Sequence, residues 1–313
     1  MEFGPHLVLA LLEGAITASV LALTAAGLAL VFGILRVVNV AHGEFFMLGA
    51  VLAWFVSTTL TETFGTGPAI GFVAALVIAP LATGLVAILA DRLVLRRIGY
   101  DPERTIVATI GLLYVLQQAT LMSFGPEARP VEAPFNTRIA LPWPERVDGE
   151  WVLGHPWGFG TTSYKLFVIG AAIVVLIGLW LLLRHTTLGL IMRATEQDRD
   201  MARAFGIPVT RVYALVFGLG AALAALGAVL VVPVQQAHYL MGGDPLLLSF
   251  IVVIIGGLGS IGGTVVAAVL IGLTDGVVSV FFSATLAKII ATLLVAMVLV
   301  FRPQGLFGRA GSR

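Results

Sequence analysis

The strongest constraint in this sequence is the recurrence of apolar runs long enough to cross a bilayer. A spanning helix needs roughly 20 predominantly apolar residues. Leu7 to Leu35 supplies such a run with only Glu13 charged, and Phe45 to Leu60 supplies another with no charge at all. Hydrocarbon contains no water to satisfy backbone N–H and C=O groups, so a spanning segment must satisfy them internally, which here predicts helices. Composition agrees: 59% of the 313 residues are hydrophobic and 11% charged, against about 25% charged in an ordinary soluble domain. The expectation is an all-α, polytopic transmembrane helical bundle. It forms a single membrane domain over residues 1–313, with no separate soluble domain.

Topology follows from where the arginines fall. No Lys or Arg precedes Arg36, so the positive-inside rule puts the N-terminus outside and Arg36 at the cytoplasmic face. The run before Arg36 exceeds a signal-peptide h-region, so it stays as a span. Further spans are expected at about 69–89, 105–124, 166–183 and 212–232. Asp91 to Arg104 carries four arginines and is cytoplasmic, as is 184–211 with five. The Pro- and Trp-rich stretch 125–164 is placed outside, with Trp143, Trp151 and Trp157 as interfacial anchors or part of a short structured cap. Three arginines in the tail from Arg302 put the C-terminus inside. That requires an odd number of crossings after Asp244, and Gly256-Gly-Leu-Gly-Ser-Ile-Gly-Gly263 predicts a helix break or a re-entrant piece there. About eight membrane segments, some broken or re-entrant, are expected.

Chemistry-bearing motifs are few. There is no cysteine, hence no disulfide and no Cys-ligated metal, and the basic residues form no continuous patch for nucleic acid. Gly257, Gly259 and Gly262 spell GxGxxG, but a dinucleotide site needs a soluble βαβ unit around it; helix packing explains the glycines better. The only lysines, Lys165 and Lys288, do not follow glycine, so no phosphate-binding GxxxxGK[ST] loop exists and no cofactor is expected in this chain. No catalytic residues and no metal ligands stand out.

Two polar stretches remain. Arg36 to Glu44 places Asn39, His42 and Glu44 between apolar runs; they either line a solute path or cap and brace a helix break. The second is the cytoplasmic loop 184–211, read as one short capped helix. Thr195 and Asp198 have the form of a capping box, Arg203 suits the helix C-terminus, Gly206 and Pro208 stop it, and Met201, Ala202 and Phe205 share a face. Such a helix suits docking in a groove of another protein or resting on membrane lipid. Asp244, Asp275, Lys288 and Glu13 are read as isolated charges.

Four blocks together resemble a known family, the permease subunits of bacterial ABC importers for branched-chain amino acids, and specifically its LivH-like members. They are Gly33-Ile-Leu-Arg-Val-Val-Asn-Val-Ala-His-Gly-Glu-Phe-Phe-Met-Leu-Gly-Ala50, Ala108 to Gln118 running on to Phe124-Gly125, Gly189 to Ile207, and Arg302-Pro-Gln-Gly-Leu-Phe-Gly308. The resemblance implies a permease of the bacterial inner membrane. It implies a LivM-like second permease, two cytoplasmic ATPases that consume ATP, and a periplasmic substrate-binding protein as partners. It also assigns ATPase docking to Gly189, Arg193, Ala194, Asp198, Met201, Ala202, Gly206 and Ile207, although this stretch departs from the EAA-loop consensus of other ABC importers. Similar permeases carry urea or short-chain amides. A self-sufficient channel or secondary carrier is the competing class.

Overall fold

The computed structural model describes residues 3–147, 150–154, 160–302 and 304–307. Eleven α-helices dominate: α1 Phe3–Leu35, α2 His42–Phe64, α3 Pro68–Ala90, α4 Pro102–Phe124, α5 Ser163–His185, α6 Thr187–Gln197, α7 Arg199–Ala204, α8 Val209–Gln235, α9 Gly243–Gly256, α10 Ile261–Phe281 and α11 Ala284–Phe301. Among the described residues eight helices are long and apolar enough to cross a membrane, so the chain is a multi-pass membrane protein. The helix starts carry ordinary signals. Pro68 and Pro102 open α3 and α4, Asp101 accepts a hydrogen bond from the Arg104 N–H at 2.9 Å, and Ser260 and Ser283 cap α10 and α11. These satisfy N–H groups that a helix leaves without intrahelical partners.

Between α4 and α5 lie four short strands, β1 Arg138–Ala140, β2 Trp143–Val147, β3 Glu150–Gly154 and β4 Gly160–Thr162, paired antiparallel as β1 with β4 and β2 with β3. The stretch thus has the short structured form that the sequence allowed. The anchoring expected of Trp143, Trp151 and Trp157 concerns side chains outside the described residues.

The glycine break after Asp244 is present and has a clear form. Helix α9 has 14 residues, about 21 Å at 1.5 Å per residue, too short for a hydrocarbon core of about 30 Å. The chain then turns at Gly257 and Gly259, both at positive φ, and re-enters as α10. The tail folds back here: the N–H groups of Leu306 and Phe307 donate to the carbonyls of Ile255 and Gly256, at 2.8 and 3.2 Å. Those carbonyls belong to the last turn of α9 and have no helical partner of their own.

At the centre α1 and α8 lie side by side, the most deeply buried of the long helices. Their approach is set by small residues. A Cβ at Gly27 would collide with the Gly220 carbonyl oxygen, and one at Gly227 would come 3.2 Å from that of Val20. These two contacts are images of each other, because adding 200 to Gly27 and to Val20 gives Gly227 and Gly220. The sequence carries the same offset: Ala22, Leu23, Ala25, Gly27, Leu30 and Val31 correspond to Ala222, Leu223, Ala225, Gly227, Leu230 and Val231. So do the helix ends. Helix α1 stops at Arg36 with φ 56° and α8 at Gln236 with φ 59°, and the N–H of each donates to the carbonyl four residues earlier at 2.9 Å. The segments around α1 and α8 are thus an internal repeat, and the two helices run antiparallel.

If small residues set this distance, Gly27→Ala overpacks the α1–α8 contact and costs about 1–3 kcal/mol. Gly178→Ala, where an added Cβ meets nothing within 4 Å, should be neutral or slightly stabilising. Thermal unfolding in detergent compares them, and equal midpoints would contradict the packing.

Candidate functional site

After α1 ends, the chain does not stay at the arginine-rich end of the bundle. It returns as a non-helical strap and starts α2 beside the middle of α1, where His42 Nε2 donates to the Thr24 carbonyl at 2.9 Å. Several of the strap's backbone groups find partners inside the protein. Val40 N–H donates to Thr109 Oγ1 at 3.2 Å, Ala41 N–H to Asn39 Oδ1 at 3.1 Å, and Glu44 N–H to the Ala41 carbonyl at 3.0 Å. Asn39, His42 and Glu44 are all buried, at 1, 0 and 3% exposure. The structure therefore brings these three together at the start of α2, with Asn39 and His42 hydrogen-bonded through their side chains. His42 Nδ1 and Glu44 Oε2 have no hydrogen-bond partner among the described residues.

The second half repeats the device. The strap 236–242 pairs with Arg129 through two backbone hydrogen bonds of 2.7 and 2.8 Å to and from Ala237, then α9 begins. The two helix starts meet: a Cβ on Gly43 would strike the Gly242 carbonyl, and one on Gly242 the Gly43 carbonyl. Two helix N-termini, with their positive dipole ends, thus converge where the straps meet. Periodicity alone missed this convergence; the 200-residue offset was the signal available for it.

The loop 184–211 differs from the single capped helix expected. It forms two helices joined at Asp198. Thr195 caps nothing: it lies inside α6 and its Oγ1 donates to the Ile191 carbonyl at 2.8 Å. Thr186 caps α6 by accepting from Gly189 N–H, and Asp198 caps α7 by accepting from the N–H groups of Asp200 and Met201 at 2.9 and 3.0 Å. The local reason is spacing. An Asp at the junction reaches N–H groups two and three residues ahead, which ends α6 and starts α7 at an angle.

The eight docking residues divide by burial. Gly189 is buried and packs against the Leu183 carbonyl with no room for a Cβ, and Ala202 is buried; Ala194 and Ile207 are half-buried. Arg193, Asp198, Met201 and Gly206 are exposed, the last at φ 81°. Phe205, four residues after Met201, is 80% exposed and so belongs to the same outward surface. The elbow is tied to the bundle, since Arg36 donates through Nη2 to the Glu196 carbonyl at 3.1 Å. A cleft of about 530 Å³ lies between them, lined among others by Arg36, Tyr100, Asp198 and Tyr213. The hydroxyl of Tyr100 donates to buried Asp91 at 3.3 Å, and its ring meets Tyr213 edge-on at 4.7 Å. Burial, and then the Asp91 carboxylate, push this hydroxyl well above its usual range, so it stays protonated as the donor.

Three of the four charges read as isolated, Asp244, Lys288 and Glu13, are paired. Lys288 Nζ donates to Asp244 Oδ2 at 2.7 Å, and Lys165 to Glu13 Oε1. The sequence could not bring together residues so distant along the chain. No group of three or more His, Cys, Asp or Glu that could hold a metal occurs among the described residues.

Comparison with known proteins adds a family. Residues 10–301 match the family model described as "Branched-chain amino acid transport system / permease component". The chain is 28% identical to the high-affinity branched-chain amino acid transport system permease protein LivH of Escherichia coli (strain K12), covering 95% of this chain and 94% of that one. It is 29% identical to the permease protein BraD of Pseudomonas aeruginosa over 97% and 96%, and 26% identical to a probable LivH of Methanocaldococcus jannaschii over 95% and 92%. Among solved structures, PsaBC from Streptococcus pneumoniae in complex with Fab gives a TM-score of 0.48 at 13% identity over 94% and 92% of the two chains, a likeness too distant to bear on function.

Removing the elbow's cap tests its local role. Asp198→Ala should destabilise α7 by about 1 kcal/mol and Asp198→Asn far less. Amide exchange across 199–204 reports it; unchanged protection in the Ala variant would exclude the cap.

Proposed function

The chain belongs to the family of branched-chain amino acid transport permease components, and from that premise we propose how it works within an ABC importer. It takes up branched-chain amino acids, with residues 1–313 acting as one permease domain. A LivM-like second permease, two cytoplasmic ATPases and a periplasmic binding protein complete the machine. The arginine-rich end, with Arg36, Arg92, Arg96, Arg97 and the elbow, faces the cytoplasm by the positive-inside rule. The N-terminus lies outside and the C-terminus inside, in a bacterial inner membrane.

One observation carries the coupling role: an elbow at the arginine-rich end exposes two large apolar side chains, Met201 and Phe205, while remaining tied to the bundle through Arg36. An apolar pair on and just after a short helix fits a groove on a soluble partner. Arg193 and Asp198 flank it with charge, and Gly189, Ala194, Ala202, Gly206 and Ile207 hold its shape. ATP is bound and hydrolysed on the partner, which is consistent with a sequence lacking a phosphate-binding loop. At the other end of this linkage, Asn39, His42 and Glu44 shape the meeting of the two straps, which the alternating-access cycle has to rearrange for solute to pass.

Phe205→Asp, a substitution at an exposed site, should leave the fold intact and reduce ATPase co-purification and ATP-driven leucine uptake at least tenfold; Arg193→Glu should act in the same direction. Retained assembly and uptake in both would remove the docking role. Reconstitution of this chain alone provides the second check: no solute flux is expected, and flux of an amino acid, urea or an amide without any ATPase would favour a channel or carrier.

A further inference from the structure

Charged groups lie on the outer surface of this bundle at a depth where lipid would be their neighbour. Asp244 lies in the first turn of α9, two residues after Gly242, which packs on Gly43 beside the His42–Thr24 contact. It is therefore set well within the thickness of the bundle. Its side chain is nevertheless 68% exposed, and that of its partner Lys288 on α11 is 44% exposed. Asp275, half-buried on α10, lies within electrostatic range of the same ammonium. Charged residues at membrane depth face a water-filled path or another protein rather than acyl chains.

The internal repeat sharpens the contrast. Glu44 occupies the position in the first half that Asp244 occupies in the second, yet it is buried at 3% exposure whereas Asp244 is open and ion-paired. A structural brace needs no such opening. Resting on the amino-acid reading above, we propose that Lys288, Asp244 and Asp275 form a site on the translocation path that receives the charged ends of a zwitterionic free amino acid. The solute's ammonium exchanges onto Asp244 and Asp275. Its carboxylate exchanges onto Lys288, beside the positive end of the α9 dipole. An ion pair suits such a ligand because opening it leaves neither charge unpartnered: each regains an opposite charge from the solute. The exchange is purely electrostatic, and no bond is made or broken.

The assembled transporter in proteoliposomes, with leucine and leucinamide as probes, provides the test. Wild-type complex should take up leucine and discriminate against leucinamide, which lacks the carboxylate; absence of any amino-acid uptake in the wild type would overturn the underlying reading before any variant is made. Given wild-type uptake, Lys288→Gln and Asp244→Asn should each lower leucine transport at least tenfold, and Asp275→Asn severalfold. Lys288→Gln should also narrow the leucine-to-leucinamide ratio at least fivefold. Size-exclusion of the complex reports assembly. The exchange D244K with K288D restores a salt bridge but reverses both charges, so it should remain inactive. Recovery of uptake in that double variant, or an unchanged leucine-to-leucinamide ratio in Lys288→Gln, would show a merely structural pair or a contact with the second permease and overturn the site.

Discussion

Everything unusual in this fold stems from one rule: inside hydrocarbon, a backbone that leaves the helix must find its hydrogen bonds within the protein. The chain leaves the helix twice near the middle of the bundle, in the straps 36–41 and 236–242. Asn39 and Ala41 of the first and Ala237, Met241 and Gly242 of the second are buried in protein. The first takes its partners from Thr109, Asn39 and Thr24, and the second from Arg129 and its own turn. Burial of Asn39 and His42 then has an electrostatic reason, because they answer groups that lipid could not. The positive φ of Arg36 and Gln236 is the local cost of turning each helix end, of order 1 kcal/mol or more for a side chain with a Cβ.

The straps in turn depend on how closely their neighbours approach. Helices in lipid gain little from apolar burial against one another, because acyl chains are equally apolar, so close packing has to hold them. Gly27 against Gly220, Gly227 against Val20 and Gly43 against Gly242 bring backbones together at three levels. This explains why glycine recurs along α1 and α8, the most buried of the long helices. Aromatic contacts such as Phe45 with Phe217, edge-on at 5.7 Å, fill the space that the glycines leave beside them.

Much of this was legible in the sequence. Span lengths, the arginine-rich end, the break at Gly257 and Gly259 and the anomaly at Asn39 to Glu44 follow from apolar run length and from where polar groups interrupt it. Boundaries moved outward, since caps such as Asp101 and Pro102 lengthen a helix beyond its apolar run. The elbow was read as one helix because Thr195 and Asp198 matched a capping spacing; the competing bond from Thr195 to Ile191 keeps that threonine inside α6. The pairs Lys288–Asp244 and Lys165–Glu13 were beyond reach because they join residues distant in the chain, and no periodicity encodes such a meeting. The repeat was within reach, written at an offset of 200 residues, but is too weak to notice without asking for it.

The strap from Arg36 to Ala41 also has a mechanical side. An extended chain of six residues measures about 20 Å at full stretch, and its two ends are fastened, one to the Glu196 carbonyl of the elbow and the other through His42 to Thr24. Over that length the strap can follow only a limited displacement of its two ends. Displacing the elbow relative to α1 must either break the Arg36 bond or draw on the point where Gly43 rests against Gly242. A displacement at one face of the membrane is thereby linked by covalent chain and two hydrogen bonds to the packing near its middle.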